Sequence, residues 1–298
     1  MSYYAFTGAI SQGLVYGLMA LGVFLTFRIL DFPDLTVDGS LPLGAAVSAM
    51  GVVNGLDPYL SLIPALIAGF LAGTLTGFLT AKLGVLHLLA SILTMTALYS
   101  INLRVMGHRP NVSLIGQPSV FSFFKNMGFS ATGASLIVFF AAIVIVGLFL
   151  VWLLRTEFGQ ALVATGDNPK MSASQGVDTR LTVILGVGLS NALVALAGAL
   201  AAQSQGLADV SLGVGTIVKG LAAVVVGETL IGARRSLGIR IVGVVLGSVV
   251  YFLATALALS LKLGSFSFTP SDLNLITAVL VVGALMFPKL KKSRRAHA

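Results

Sequence analysis

Three of the chain's ten acidic residues lie close together in sequence. Asp31, Asp34 and Asp38 fall within residues 30–40, together with Thr36. Such carboxylates could cap the helix that follows, because Asp accepts hydrogen bonds from the free N–H groups of a first helical turn. They could instead line a polar path if the stretch lies at membrane depth, where an acidic group is costly and is therefore a candidate for function.

Other kinds of chemistry find little support in the residue types. The chain has no Cys, which excludes a thiolate metal site and a Cys nucleophile, and His87, His108 and His297 lie far apart in sequence. The apolar segments hold no paired carboxylates and no Ser-His set, and the chain has no phosphate loop of the Gly-x-x-x-x-Gly-Lys-Ser/Thr type. We therefore expect that this chain is not an enzyme and that it binds no metal and no cofactor.

The composition predicts a membrane protein. Hydrophobic residues make up 57% of the chain and charged residues 9%, whereas soluble domains average about 25% charged. The apolar stretches are continuous, as in spanning helices, and do not alternate as barrel strands do. We predict one all-α polytopic domain over residues 1–298, with nine transmembrane helices at residues 5–27, 37–54, 58–82, 88–106, 133–154, 181–205, 215–232, 239–261 and 271–288.

The placement of Lys and Arg predicts the orientation, because cytoplasmic loops of membrane proteins are enriched in these residues. We predict a protein of the cell (inner) membrane with a cytoplasmic C-terminus and an outside N-terminus. This orientation puts thirteen of the eighteen basic residues on the cytoplasmic side of the membrane and five on the outer side. The net charge of +8 is then explained by topology, and no nucleic-acid partner is expected. The thirteen are Arg28, Lys82, Arg155, Lys170, Arg180, Arg234, Arg235, Arg240, Lys289, Lys291, Lys292, Arg294 and Arg295.

An internal repeat is indicated when the chain is aligned with itself at an offset of 175 residues, which pairs Gly13 with Gly188. The same offset pairs the Asp34-Leu-Thr36 stretch with Asp209-Val-Ser211. The repeat halves cover about residues 8–130 and 155–288, and five spans separate them, so they would have opposite orientations. Inverted repeats are an architecture of transporters. One polar turn would then approach each face of the membrane.

Polar residues on several spans are candidates for a translocation path. Hydroxyl groups in lipid usually bond to their own backbone or to a neighbouring helix, which is the alternative role for most of them. Asn191, Gln203 and Gln205 form a polar set on the sixth span. The predicted path residues are Asp34, Thr36, Asp38, Thr94, Asn102, Asn191 and Asp209.

The predicted cytoplasmic loop, residues 155–180, contains signals for a short helix. Asn168 follows Asp167 and precedes Pro169, which is typical of a helix start, and Gly176 is typical of a helix end. The predicted helix runs from Asp167 to about Gln175. A helix of about two turns is unstable alone in water, so we expect it to dock on this chain or on a partner.

Three stretches carry a resemblance to a known family. FGQALVATGDNPKMSASQGVDTR (158–180), FRILDFPDLTVDGSLPLGAAVSA (27–49) and VVVGETLIGARRSLGIRIVGVVLGS (224–248) resemble permease subunits of ATP-binding-cassette importers, in the branched-chain amino acid and simple-sugar group. The LDFPDLTVDGS wording is similar to a subgroup associated with amino-acid uptake, including aromatic amino acids. Glu228 departs from the group, which usually has Gly there.

The resemblance implies a type II importer in the lipid bilayer. Its partners would be a second copy of the chain, a cytoplasmic ATPase that uses ATP and Mg²⁺, and an extracellular or periplasmic substrate-binding protein. The residues matching the ATPase-coupling segment are Gly166, Asp167, Asn168, Pro169, Lys170, Ser172, Ala173, Gln175 and Gly176. The alternative is a secondary transporter driven by an ion gradient, which normally needs ionisable residues deep in its spans; only Lys219 and Glu228 come near.

Residues 107–132 form the predicted outer segment and are rich in aromatic side chains, including Phe121, Phe123 and Phe129. They predict an amphipathic piece lying at the membrane surface. The alternative is a docking surface for the substrate-binding protein.

Overall fold

A computed structural model of the protein describes residues 3–232, 235–260, 262–263, 266–267 and 282–283. The described part is mostly helical. Its helices are α1 (Tyr3–Phe24), α2 (Val37–Val53), α3 (Leu62–Ala81), α4 (His87–Val105), α5 (Ser122–Asn126), α6 (Ala131–Leu153), α7 (Glu157–Asp167), α8 (Pro169–Ser174), α9 (Thr179–Gln205), α10 (Thr216–Ile231) and α11 (Leu237–Ser260). Its strands are β1 (Asn111–Ser113), β2 (Leu207–Asp209), β3 (Lys262–Leu263) and β4 (Phe266–Ser267).

The predicted polytopic helical fold is confirmed. In the described residues, seven helices are long and apolar enough to cross a membrane, and α2, with 17 residues, is a shorter apolar helix. Eight of the nine predicted spans correspond to these helices. The ninth, residues 271–288, lies outside the described residues, so the count of nine stays a prediction.

Small residues allow the central helix α9 to pack closely against α3. A Cβ on Gly73 would overlap the carbonyl oxygen of Val187, and one on Gly69 would overlap the carbonyl oxygen of Asn191. Helices in lipid gain van der Waals contact in this way, because burial against a neighbour offers little over lipid tails. The face of α3 that carries these glycines is therefore used within the chain.

The helical run is interrupted before α2 and before α10. α1 continues through a π-helical turn, Leu25–Ile29, and the chain then runs without regular structure before α2. At the second interruption, β1 pairs antiparallel with β2, and a 3₁₀ turn, Val210–Gly213, follows β2 and precedes α10. A Cβ on Gly213 would overlap the carbonyl oxygen of Asp38, so the two interruptions meet. The β1–β2 pair was not predicted.

The predicted loop 155–180 holds two helices where one was expected. The additional helix is α7, whose first turn is capped by Thr156, the hydroxyl oxygen of which accepts the Gly159 N–H at 3.3 Å. α7 is too short and too polar to resemble a span, and it is stabilised by packing, with Leu162 fully buried.

Candidate translocation and coupling sites

Asp34 lies at the centre of a buried polar cluster, with 3% of its surface exposed. Its Oδ1 accepts the Thr36 N–H at 2.9 Å, and its Oδ2 accepts a hydrogen bond from Asn191 Nδ2 at 2.7 Å. Asn191 lies near the midpoint of α9, and its Oδ1 accepts a bond from the Ser40 hydroxyl at 2.7 Å. The structure thus brings together three predicted path residues.

The hydroxyls of Thr76 and Ser40, which were not among the predicted path residues, complete this cluster. The Thr36 and Thr76 hydroxyls lie 2.8 Å apart, which ties the start of α2 to α3, and Ser40 ties it to α9. Hydroxyl residues are common in apolar helices, and their sequence does not show which of them face another helix. The cluster satisfies groups that would be costly to bury alone.

Asp38 joins the start of α2 to the start of α10. Its Oδ1 accepts the Ile217 N–H at 2.7 Å and the Thr216 hydroxyl at 2.9 Å, and its Oδ2 accepts the Gly215 N–H at 3.2 Å. Asp38 therefore caps α10. One of our alternatives had predicted that it caps the second span, α2, and this is wrong. The N-cap residue of α2 is Thr36, which has no side-chain capping bond.

The two predicted path residues on α4 behave differently from each other. Asn102 Nδ2 donates to the carbonyl oxygen of Gly39 at 3.2 Å, so Asn102 contacts the start of α2. Its Oδ1 is buried and has no hydrogen-bond partner in the described part of the chain. The Thr94 hydroxyl is buried and donates to the carbonyl of Ala90 in its own helix at 3.0 Å, which is the alternative role given above for hydroxyls on spans.

Asp209 lies away from this cluster, at the end of β2 opposite Asn111. Its Oδ1 accepts the Ser211 N–H at 2.7 Å and the Ser211 hydroxyl at 2.6 Å. Asp34 forms the same local turn with Thr36, the residue that the 175-residue offset pairs with Ser211. The turn at Asp34 leads into α2 and the turn at Asp209 leads towards α10, and the starts of these two helices are in contact. The inverted repeat itself stays a prediction.

Gln203 forms a second buried junction, near the C-terminal end of α9. Its Nε2 donates to the Ser48 hydroxyl at 3.0 Å and to the Ser61 hydroxyl at 3.1 Å. Its Oε1 accepts the Val120 N–H at 2.9 Å. This side chain therefore joins α9 to α2, to the start of α3 and to the outer segment.

The capping residue and the C-terminal stop of the predicted short helix are confirmed, but the helix begins at Pro169, and Asp167 is the last residue of α7. The Asn168 side chain accepts the Met171 N–H at 3.0 Å, Pro169 occupies the first turn of α8, and Gly176 has a φ of 87°. Met171 is 63% exposed, whereas Ser172 is buried and donates to the Asn168 carbonyl at 3.0 Å. Of the other residues predicted for coupling, Asp167, Lys170, Ala173 and Gln175 are exposed.

Gly166 lies in α7 and rests directly on the end of the first membrane helix. A Cβ on Gly166 would overlap the carbonyl oxygen of Ile29. A Cβ on Gly186 of α9 would overlap the side chain of Leu30 and press on Leu162 of α7. α7 is therefore packed against the segment that leads to the Asp34 cluster.

Comparison with known protein families gives a match along almost the whole chain. The family described as "Branched-chain amino acid transport system / permease component" matches residues 5–288. The chain belongs to this permease family. It is therefore a transport subunit of the amino-acid type and not an enzyme.

Individual relatives agree with this permease assignment. The chain is 37% identical over 276 residues to the tyrosine transport system permease protein of Clostridioides difficile, covering 92% of this chain and 88% of that protein. It is 29% identical over 200 residues to the probable branched-chain amino acid transport permease protein LivH of Methanocaldococcus jannaschii, covering 63% of this chain and 62% of that one.

A solved structure shares the permease fold. It is an inward-facing structure of an ABC transporter described as of metal-chelate type, with a TM-score of 0.51 and 17% identity, covering 96% of this chain and 85% of that one. At this identity the likeness concerns the fold alone. It supports a multi-pass helical membrane fold.

Glu228, the residue at which this permease departs from the group, makes both ion pairs found in the described residues. Its Oε1 lies 2.6 Å from Arg28 Nε and 3.3 Å from Arg240 Nη2. The guanidinium of Arg240 also lies 5.1 Å from the centre of the Phe24 ring. Glu228 thus joins the ends of α1, α10 and α11, which accounts for an acid at this position.

Proposed function

We propose that this permease imports an aromatic amino acid, as a pair of identical chains driven by a partner ATPase that binds ATP and Mg²⁺. A substrate-binding protein delivers the solute from outside. The single observation that carries the proposal is the 37% identity along 92% of the chain to a tyrosine transport system permease protein. The predicted orientation, with the N-terminus outside and the C-terminus cytoplasmic, is part of the proposal.

The packing of α7 and α8 supports a coupling role for this segment. α8 presents Lys170, Met171 and Ala173 to solvent, as a docking surface for another protein requires. Behind it, Gly166 leaves room for α7 to rest on the carbonyl of Ile29, five residues before Asp34. A displacement of α8 by the ATPase is transmitted through these contacts to the start of α2.

The contacts around α2 and α10 support a path that opens from each side in turn. Asp34 holds the segment before α2 on α9, and Asp38 holds the start of α10 on α2. Moving either segment breaks hydrogen bonds, and these bonds must be replaced by others in the new position. Each segment is therefore expected to occupy a few discrete positions and not a continuous range of them. The related turn at Asp209 precedes the 3₁₀ turn that leads into α10 at the same junction.

The outer segment offers a surface for the substrate-binding protein. Ile115 is 87% exposed, Met127 63% and Phe123 59%, while Phe121 is buried and anchors the segment. Exposed apolar side chains grouped on one connection are typical of an interaction site. We assign docking of the binding protein to this surface.

Uptake in a reconstituted system tests the proposal. The permease, its ATPase and its binding protein are placed in vesicles, and labelled tyrosine, phenylalanine, leucine and ribose are compared with and without internal ATP. The control carries an ATPase whose phosphate-loop lysine is replaced. ATP-dependent uptake of the aromatic amino acids is expected. Uptake that follows an ion gradient without ATP would show a secondary transporter instead.

A further inference from the structure

A cavity of about 460 Å³ lies between α1, α11 and the start of α10. It follows α1 from Ala5 to Tyr16 and α11 from Tyr251 to Leu259. Cavities of about 300–1,000 Å³ are typical of small-ligand sites. In the predicted orientation this cavity lies in the outer half of the membrane domain, beside the junction of α2 and α10.

One wall of the cavity carries the positive charge of Lys219. Lys219, which is half-buried, forms no ion pair in the described part of the chain. Its Nζ lies 5.6 Å from the centre of the Tyr16 ring. Asp38, the acid of the α2–α10 junction, attracts this charge from beyond ion-pair distance, but its carboxylate is shared with the N–H groups of Gly215 and Ile217. A cation within a membrane domain is costly unless it is paired, so an anionic ligand would be stabilised here.

The wall that adjoins Lys219 is aromatic. The rings of Tyr16 and Phe252 are stacked, with centroids 4.9 Å apart and an angle of 22° between their planes. Such a surface favours a further aromatic ring by offset or edge contact. The amides of Gln12 and Gln205 also line the cavity, and in the described residues no hydrogen bond occupies them.

We propose that this cavity is a transient binding site for the transported solute, with Lys219 as the ligand of its carboxylate and the Tyr16–Phe252 pair as the surface for its ring. The solute class is then an amino acid with an aromatic side chain. The proposal rests on the proposed function, and it assigns the choice of solute partly to the membrane subunit.

Thiol labelling in this Cys-free chain tests the site without transport. Gln12→Cys is introduced, the permease is reconstituted in neutral-lipid vesicles, and the rate of reaction with an impermeant thiol reagent is measured. Phenylalanine, used because it is more soluble than tyrosine, should slow labelling. Phenethylamine, which lacks the carboxylate, and leucine, which lacks the ring, should slow it much less.

Variants identify the residue that provides the charge. Lys219→Met should weaken the protection by phenylalanine about tenfold or more, because a bond to a charged group is lost, and Lys219→Arg should restore much of it. Lys82→Met is the matched control, since the Lys82 ammonium lies 5.6 Å from the Phe78 ring and away from the cavity. It should leave the protection unchanged.

The outcomes separate this site from the proposed function. Equal effects of phenylalanine, phenethylamine and leucine, or full protection in Lys219→Met, would overturn the site even if ATP-driven uptake is found. Slower labelling on adding anionic lipid, with no effect of phenylalanine, would assign the cavity to a lipid headgroup and also overturn it. Protection without ATP-driven uptake would retain the site and reject the importer.

Discussion

The Asp38 carboxylate, in the first turn of α2, accepts the backbone N–H of Ile217, in the first turn of α10, at 2.7 Å. The two residues are 179 positions apart in sequence. Free N–H groups at a helix start carry a partial positive charge, which a carboxylate stabilises. The start of α10 therefore depends on α2 for its cap.

Replacing Asp38 should destabilise the permease in a graded way. Asp38→Ala removes the acceptor of the Gly215 and Ile217 N–H groups, which costs about 1–3 kcal/mol for a group that stays buried and less for one that water reaches. Asp38→Asn keeps an acceptor oxygen and should lose less. Thermal unfolding of the purified protein measures both. The control is Asp57→Ala, which removes a 2.8 Å bond to the Tyr59 N–H in an exposed turn and should have little effect.

Asp34 and Asp209 should both matter for uptake, but Asp34 more for stability. Asp34→Ala leaves the buried amide of Asn191 without its 2.7 Å partner, whereas the Asp209 carboxylate, within the described part of the chain, bonds only to nearby Ser211. Loss of a cap alone costs about 1 kcal/mol. We expect slower uptake in both variants with the ATPase still bound. Wild-type uptake at normal expression in both would rule out the gating role.

Asn168 should control coupling. Asn168→Ala removes the 3.0 Å bond to the Met171 N–H, and the six-residue helix α8 should fray. The measurement is the ratio of solute transported to ATP hydrolysed, which should fall. Ser130→Ala is the matched control, because Ser130 caps α6 through a 3.1 Å bond to the Gly133 N–H at the other end of the molecule. Equal ratios in the two variants would count against a coupling role.

The orientation can be measured with single cysteines in this Cys-free chain. Asn126→Cys, in the outer segment, should react with an impermeant thiol reagent in intact cells. Ser174→Cys, on the exposed side of α8, should react only after the membrane is opened. Ser174 is chosen over Ser172 because Ser172 is buried. Labelling of Ser174→Cys from outside would reverse the predicted topology.

Features that depend on neighbouring residues were predictable from the sequence. Long apolar stretches must form helices in lipid because every backbone group needs a partner, so eight helices were placed correctly, seven of them long and apolar enough to cross a membrane. The start of α8 was predicted because an Asn cap acts on an N–H three residues later. In both cases the signal and the bond lie within one turn of helix.

Features that join distant segments were decided by the tertiary structure alone. The sequence made Asp34 and Asp38 candidates, but it did not show that one bonds to Asn191 on α9 and the other to the start of α10. It also missed the β1–β2 pair and α7, which are short and depend on packing. The reason is physical: a carboxylate bonds to whichever donor the fold brings within about 3 Å, and only the packing of the helices determines that donor.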